Sequence, residues 1–144
     1  MTERMIRQII EGQEPVTAVP AMTVADAARL MRDRKVGALM VVEGEKLVGV
    51  FTERDGLFRV LAEGRTGDGT ALENVMTRNP KTIEADKPFV HALQMMHEGG
   101  FRHLPVVEGE RVVGIVSVRD ALGPELEAFV YELLRQEQIG EVLA

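Results

Sequence analysis

Apolar positions along this chain change their spacing in a set order, and the order occurs twice. Val24, Ala27, Ala28 and Met31 recur three and four apart, the spacing of one helix face, and Thr23 ahead of them is a good N-cap type. Two short apolar runs rich in β-branched residues follow, ALMVVEG and KLVGVFT, with Gly44-Glu45 between them. They predict two strands joined by a tight hairpin. A second helix is predicted from the Arg-Asp pair onward, over ERDGLFRVLAE, and the stretch PVTAV ahead of the first helix predicts an extended piece. The later half repeats each step: PKTIE, a helix with Phe89, Ala92, Leu93 and Met96 on one face and Pro88 in its first turn, then HLPVVEG and RVVGIVS around Gly109-Glu110. A helix over VRDALGPELEAFVYELLRQEQ is predicted to close the second half.

The two halves align at an offset of 65 without a gap, with 15 identities over the 43 positions from 15 to 57. LMVVEGE falls on LPVVEGE, and Arg54-Asp55 falls on Arg119-Asp120. An internal duplication of this kind decides the architecture before any local detail. The fold class is α/β (α+β): two pseudo-symmetric β-α-β-β-α units packed through their sheets, with amphipathic helices at both ends. The division is unit 1 over 8–63, a linker over 64–72, unit 2 over 73–123 and a C-terminal helix over 124–140. The linker region EGRTGDGTALENV is read as a flexible surface loop, because it is glycine-rich and lacks the Gly-Lys-Ser/Thr end of a phosphate-binding P-loop. Met5, Ile6, Ile9 and Ile10 form one terminal apolar stripe; Leu126, Phe129, Val130, Leu133 and Leu134 form the other. Both stripes are expected to cover the protein's own sheets, with a subunit interface as the alternative for one of them.

Composition narrows the chemistry. The 144 residues are 45% hydrophobic, enough for a substantial core, and contain no Cys, which excludes disulfides and thiolate catalysis and suits a cytoplasmic location. No apolar run reaches the roughly 20 residues of a membrane span, and the N-terminus lacks the apolar core of a signal peptide. A net charge of −6, with no basic stripe and no Trp, argues against nucleic acid as a partner. Ser117 is the only serine and sits in no nucleophile elbow; His91, His97 and His103 are six apart, off any shared helix face and outside any metal-ligand pattern. No catalytic residue and no metal ligand is assigned, and the chain is not read as an enzyme.

The tandem β-α-β-β-α order, together with VMTRNPKTI and FRHLPVVEGERVVGIVSVRD, resembles the cystathionine-β-synthase-type (CBS) domain, over roughly residues 8–122. The resemblance implies a CBS pair, or Bateman module, here with no catalytic or transport domain attached. Such pairs carry two central clefts for adenosine-containing ligands, regulate an associated protein, and often dimerise into discs. It implies that Asp55 and Asp120 hold ribose and that Thr52 and Ser117 lie near phosphate. The chemistry is sound: a carboxylate accepts from both hydroxyls of a diol, and Arg54 and Arg119 beside it add positive charge. The same Ser/Thr-x-x-Asp spacing is also a helix-capping arrangement, and the two roles are compatible.

For the adenine slot the family pattern points to Thr17, Ala18, Val19, Leu39 and Val50 in one cleft, and Thr82, Ile83, Leu104, Pro105 and Ile115 in the other; each aliphatic residue taken singly also fits a core position. Arg102 and His103 of unit 2, where unit 1 has Gly37 and Ala38, are expected to make the clefts unequal, although the sequence does not show which cleft they serve. The expected protein is a cytoplasmic homodimeric sensor that needs no resident cofactor. It takes AMP, ADP or ATP as its regulatory ligand and acts on a partner protein through movements of the linker and terminal helices. NAD or S-adenosylmethionine is the alternative ligand, and an interaction or dimerisation module without a physiological nucleotide is the alternative function.

Overall fold

The computed structural model describes residues 4–143, the side chains of 138–143 excepted. In order, the elements are α1 (Ile6–Ile10), β1 (Thr17–Ala18), α2 (Val24–Arg34), β2 (Ala38–Glu43), β3 (Lys46–Thr52) and α3 (Glu53–Asp55), which runs on as a π-helical turn over Gly56–Leu61. After a 3₁₀ turn at Leu72–Asn74 come β4 (Thr77–Arg78), β5 (Ile83–Glu84), α4 (Phe89–Gly99), β6 (His103–Glu108), β7 (Arg111–Ser117), a 3₁₀ turn at Val118–Asp120 and α5 (Gly123–Leu143).

The predicted strands and hairpins are present. Gly44 and Gly109 open the two-residue hairpin loops at φ +64° and +65°, a conformation primed turns require and glycine adopts without strain. Thr23 caps α2 by accepting from the Asp26 N–H, while Pro88 is the cap residue of α4 rather than part of its first turn. The strands form one sheet in the order β1-β2-β3-β7-β6-β5, with β4 also paired to β3. Within each half the pairing is extensive, but β3 and β7 meet at a single register pair, Lys46 and Arg111. The halves are therefore held by side chains: buried Ala38, Met40 and Val50 pack with Leu47, Val112 and Ile115 across the pseudo-twofold. A fully buried side chain of this size contributes about 1.5–3 kcal/mol, more than one edge hydrogen bond.

Three features depart from the sequence expectations. The linker is not a free loop: Thr70 is buried, and the carbonyls of Gly67 and Thr70 accept from the Ala25 and Val24 N–H groups at 3.0 and 2.9 Å. Those N–H groups belong to the first turn of α2 and have no partner inside their own helix, so the linker satisfies them. Second, the division into 8–63 and 73–123 differs from the packing at both starts. Ile6 and Ile10 of α1 enter the core of the second half with Phe89, Leu93 and Met96, whereas Leu72, Val75 and Met76 enter the core of the first. Each half is thus strapped by the segment that precedes the other half.

Third, the closing helix does not begin at the second Arg-Asp. Pro124 has no N–H to give the Asp120 carbonyl, so the helix breaks at Ala121 and α5 starts afresh. Arg4 Nη2 donates to that carbonyl instead, at 2.6 Å, and the same guanidinium holds Glu125 at 2.6 and 3.2 Å. On α5 only Phe129 and Leu133 of the predicted stripe turn inward; Leu126, Val130 and Leu134 are exposed, so this helix does not spend its whole apolar face on the protein's own core.

Candidate functional site

At the end of β3 the chain passes from strand to helix through Thr52-Glu53-Arg54-Asp55. The Asp55 carboxylate accepts from the Thr52 N–H at 2.9 Å and Thr52 Oγ1 accepts from the Asp55 N–H at 3.2 Å. This is a reciprocal cap, the arrangement that satisfies two helix-start donors at once. The other Asp55 oxygen lies 3.5 Å from Arg59 Nε, one helical turn on, and Arg59 also donates to the carbonyls of Val75 and Met76. Arg59 therefore ties the acid to the strap that carries β4.

Asp55 borders a cavity of about 990 Å³ between the halves. The first half supplies Val50, Thr52, Glu53, Arg54, Asp55, Phe58 and Arg59. The second supplies Thr77, Asn79, Pro80 and Lys81 from the β4 strap, and Phe101, Arg102, His103 and Pro105 from the start of β6. Arg102 and His103 thus line the same cavity as Asp55, across the pseudo-twofold, a placement the sequence left open. The wall is strongly cationic: Arg54, Arg59, Lys81 and Arg102 stand against Glu53 and Asp55. Arg54 lies with its guanidinium carbon 5.5 Å from the Phe58 ring centre, which keeps that charge on the cavity wall.

His103 is half-buried, and its pKa is held below the usual imidazole value, first by burial and then by the charges of Arg102 and Arg119, against the pull of Glu53 and Asp120. It sits where Gly37 makes room: a Cβ at Gly37 would stand 3.2 Å from Glu53 Oε1 and 3.4 Å from His103 Nε2.

The predicted residues do not gather into two equivalent sets. Val50, Thr52, Arg54, Asp55, Arg102, His103 and Pro105 share the cavity. Ala18 and Leu39 belong to the core of the first half, Ile83 and Leu104 to that of the second, and Ile115 to the cluster between them, so these five are packed rather than lining this cavity. Thr17 and Val19 are exposed, and Thr82 is half-buried outside it. Around the second acid, Asp120 accepts from the Ser117 N–H at 2.7 Å and Ser117 Oγ accepts from the Arg119 N–H, while the Arg119 side chain lines a separate groove of the first half. The position that matches Arg59 here is Pro124, and those matching Lys81, Arg102 and His103 are Val16, Gly37 and Ala38. Duplication preserved both acids and the arginine ahead of each, but not the other three cations around the first.

Glu53, Phe58, Arg59, Thr77, Asn79, Pro80, Lys81 and Phe101 were not foreseen. Arg59 carried a signal, an opposite charge four residues from Asp55. Lys81 and Asn79 carried none, since only the crossing of the straps brings them to the other half's acid. Among the described residues no helix is long and apolar enough to cross a membrane.

Comparison with known proteins agrees with this geometry. The family model described as CBS domain matches twice, over residues 6–61 and 72–124. The CBS domain-containing protein CBSCBSPB3 of Arabidopsis thaliana is 37% identical over 121 residues, which are 83% of this chain and 22% of that protein, so the chain spans about a fifth of its length. The CBS domain pair of MJ0100, solved in complex with 5′-methylthioadenosine and S-adenosyl-L-methionine, is 30% identical, with a TM-score of 0.74 over 83% of this chain and 93% of that one. The Pyrobaculum aerophilum CBS domain protein PAE2072, solved with AMP, superposes with a TM-score of 0.79 at 21% identity, over 89% of this chain and 99% of that one. A repeated β-α-β-β-α unit, two reciprocal caps at strand ends and a cleft shared by the halves meet in one conclusion: the chain belongs to the CBS domain family, as a tandem pair.

Proposed function

We propose that this CBS pair is a regulatory sensor that binds an adenine nucleotide in the cleft of Asp55 and signals its occupancy to a partner protein. The observation that carries the proposal is the composition of one cavity: a buried carboxylate at a helix start, an apolar floor at Val50 and Pro105, and four cations supplied by both halves. In it Asp55 accepts from the ribose hydroxyls, through the acceptor sites that the cap to Thr52 and the 3.5 Å ion pair to Arg59 leave over. Arg102, Lys81 and Arg54 take the phosphates. The excess of cation over acid favours AMP, ADP, ATP or NAD over S-adenosylmethionine, whose sulfonium carries positive charge. The adenosine-type ligands named for the MJ0100 pair support the ligand class.

Ligand binding would act by differential stabilisation. Glu53 and Leu57 line both the nucleotide cavity and a neighbouring apolar groove, so a ligand that fixes this short helix changes the groove on its other side. The protein is read as a cytoplasmic homodimer with no reaction of its own. The second reading, an interaction module without a nucleotide, draws on the cap and ion pair that already engage Asp55. Thermal unfolding with AMP, ADP, ATP, NAD and S-adenosylmethionine separates the two. Ligand at a hundred times its dissociation constant stabilises by about 2.7 kcal/mol, and no shift with any of the five removes the nucleotide reading.

A further inference from the structure

Each half carries the same backbone strut, between the residue ahead of its second strand and the turn that holds its acid. In the first half the Gly37 carbonyl accepts from the Glu53 N–H at 3.0 Å; in the second the Arg102 carbonyl accepts from the Val118 N–H at 3.2 Å. Only the second strut ends in a side chain that lines the nucleotide cavity, because Arg102 stands where the first half has Gly37. The next residue, His103, lines the same cavity and lies opposite Ser117 in the β6-β7 register. Whatever holds Arg102 and His103 in the cleft of Asp55 therefore also holds the Val118–Asp120 turn.

The far end of that turn is likewise engaged in one half only. The Asp120 carbonyl, left without a helical partner by Pro124, accepts from Arg4 Nη2 at 2.6 Å, and the same guanidinium grips both oxygens of Glu125 in the first turn of α5. Arg4 is itself fixed: its carbonyl accepts from the Phe89 N–H at 2.8 Å, and its guanidinium carbon lies 5.7 Å from the centre of that buried ring. Glu125 closes the circuit by accepting from the Leu122 N–H at 2.9 Å. In the first half the positions matching Arg4 and Glu125 are Gly69 and Val60, and the turn at Asp55 runs on as helix without a break. Beyond this latch α5 is lightly held: among the described residues, Phe129 is its one side chain packed on the core of the second half.

We propose that α5 is the output element of the Asp55 cleft, and that Arg4 is the positioning residue that couples the two. This rests on the nucleotide reading and names how occupancy is passed on from the site. Phosphate held by Arg102 fixes the strut, the strut fixes the Val118–Asp120 turn, and the turn presents its carbonyl to Arg4, which holds the first turn of α5. Nucleotide thus favours the latched helix over the released one, and by linkage the latched helix favours nucleotide to the same extent. No contact between Arg4 and the ligand is needed.

Hydrogen exchange followed by mass spectrometry tests the relay, with saturating ATP, ADP, AMP and NAD in turn. In the wild type, a nucleotide that binds is expected to slow exchange at least about threefold both at 50–59 and at 123–137. Arg4→Gln and, separately, Glu125→Gln should keep the protection at 50–59 and lose it at 123–137. Both should also weaken that nucleotide by about threefold or more in calorimetric titration, although neither residue lines the cavity. Glu125→Gln retains an acceptor for the Leu122 N–H, so it serves if Arg4→Gln melts too low to use. Protection at 50–59 with none at 123–137 in the wild type overturns the relay and leaves the nucleotide site standing. Protection of 123–137 that persists in the variants, with affinity unchanged, overturns the role of Arg4. No protection anywhere and no heat of binding removes the nucleotide reading and the relay together.

Discussion

Replacement of Asp55 by Ala separates two jobs assigned to one carboxylate. The cap to the Thr52 N–H at 2.9 Å is lost, which costs about 1–2 kcal/mol, the upper part of the range for removing a cap. The ion pair to Arg59 adds little, because Arg59 is half-exposed and the separation is 3.5 Å. At roughly 4 °C per kcal/mol for a chain of this size, the melting temperature should fall by about 4–8 °C. If Asp55 also holds the ribose, two charge-assisted hydrogen bonds vanish from the complex, a net loss of about 2–3 kcal/mol, or roughly 30- to 140-fold in affinity. Asp120→Ala is the matched control, since it removes the equivalent cap to Ser117 at 2.7 Å and should lower the melting temperature similarly with a much smaller loss of affinity. Asp55→Asn should keep most of the cap, because its side-chain oxygen still accepts, yet lose about tenfold in affinity with the charge. Calorimetric titration with ATP beside thermal unfolding reads both quantities. Full nucleotide affinity in a destabilised Asp55→Ala would refute the ribose role and leave a cap alone.

Three other outcomes are expected. Arg102→Ala should weaken ATP by about tenfold and adenosine by less than about twofold, as a phosphate contact requires; equal losses in titration would place Arg102 elsewhere. His103 has its folded pKa below the unfolded value near 6.5, so the unfolded chain binds more protons in the window between them: stability contributed by this group is present above about pH 6.5 and is lost as pH falls through the folded value. A bound phosphate would raise that pKa again, so nucleotide affinity should increase as pH falls from the liganded value toward the lowered free one, with proton uptake detectable by titration in buffers of different ionisation enthalpy, and His103→Gln should remove the part of both effects that this group carries. Gly49→Ala should cost about 1–3 kcal/mol in urea unfolding, because its new Cβ would collide with the Met76 side chain of the strap, and Met76→Ala in the same chain should recover part of it.

What the amino-acid order determined on its own is everything set by neighbours along the chain. Helical and strand periods, hairpin glycines, the cap at Thr23 and the twice-written hydroxyl-x-Arg-Asp string depend on interactions within a few residues, and they appear in the structure where the sequence places them, except that Pro88 caps α4 and that Pro124 delays the closing helix to Gly123. The duplication also announced the pseudo-symmetry and, through its resemblance, the family. Tertiary structure decided the rest. Ile6 and Ile10 pack on the second half and Leu72, Val75 and Met76 on the first, because a short strap is stabilised by whichever core lies within its reach, not by the unit it precedes. That crossing brings Lys81 and the β4 strap beside Asp55, and the sheet junction brings Arg102 and His103 to the same cleft. Periodicity says which face of an element is apolar; it carries no record of which distant element will cover that face. The two acids read as twins in the chain, yet their surroundings differ, because charge at a site is the sum over everything that folding brings near it.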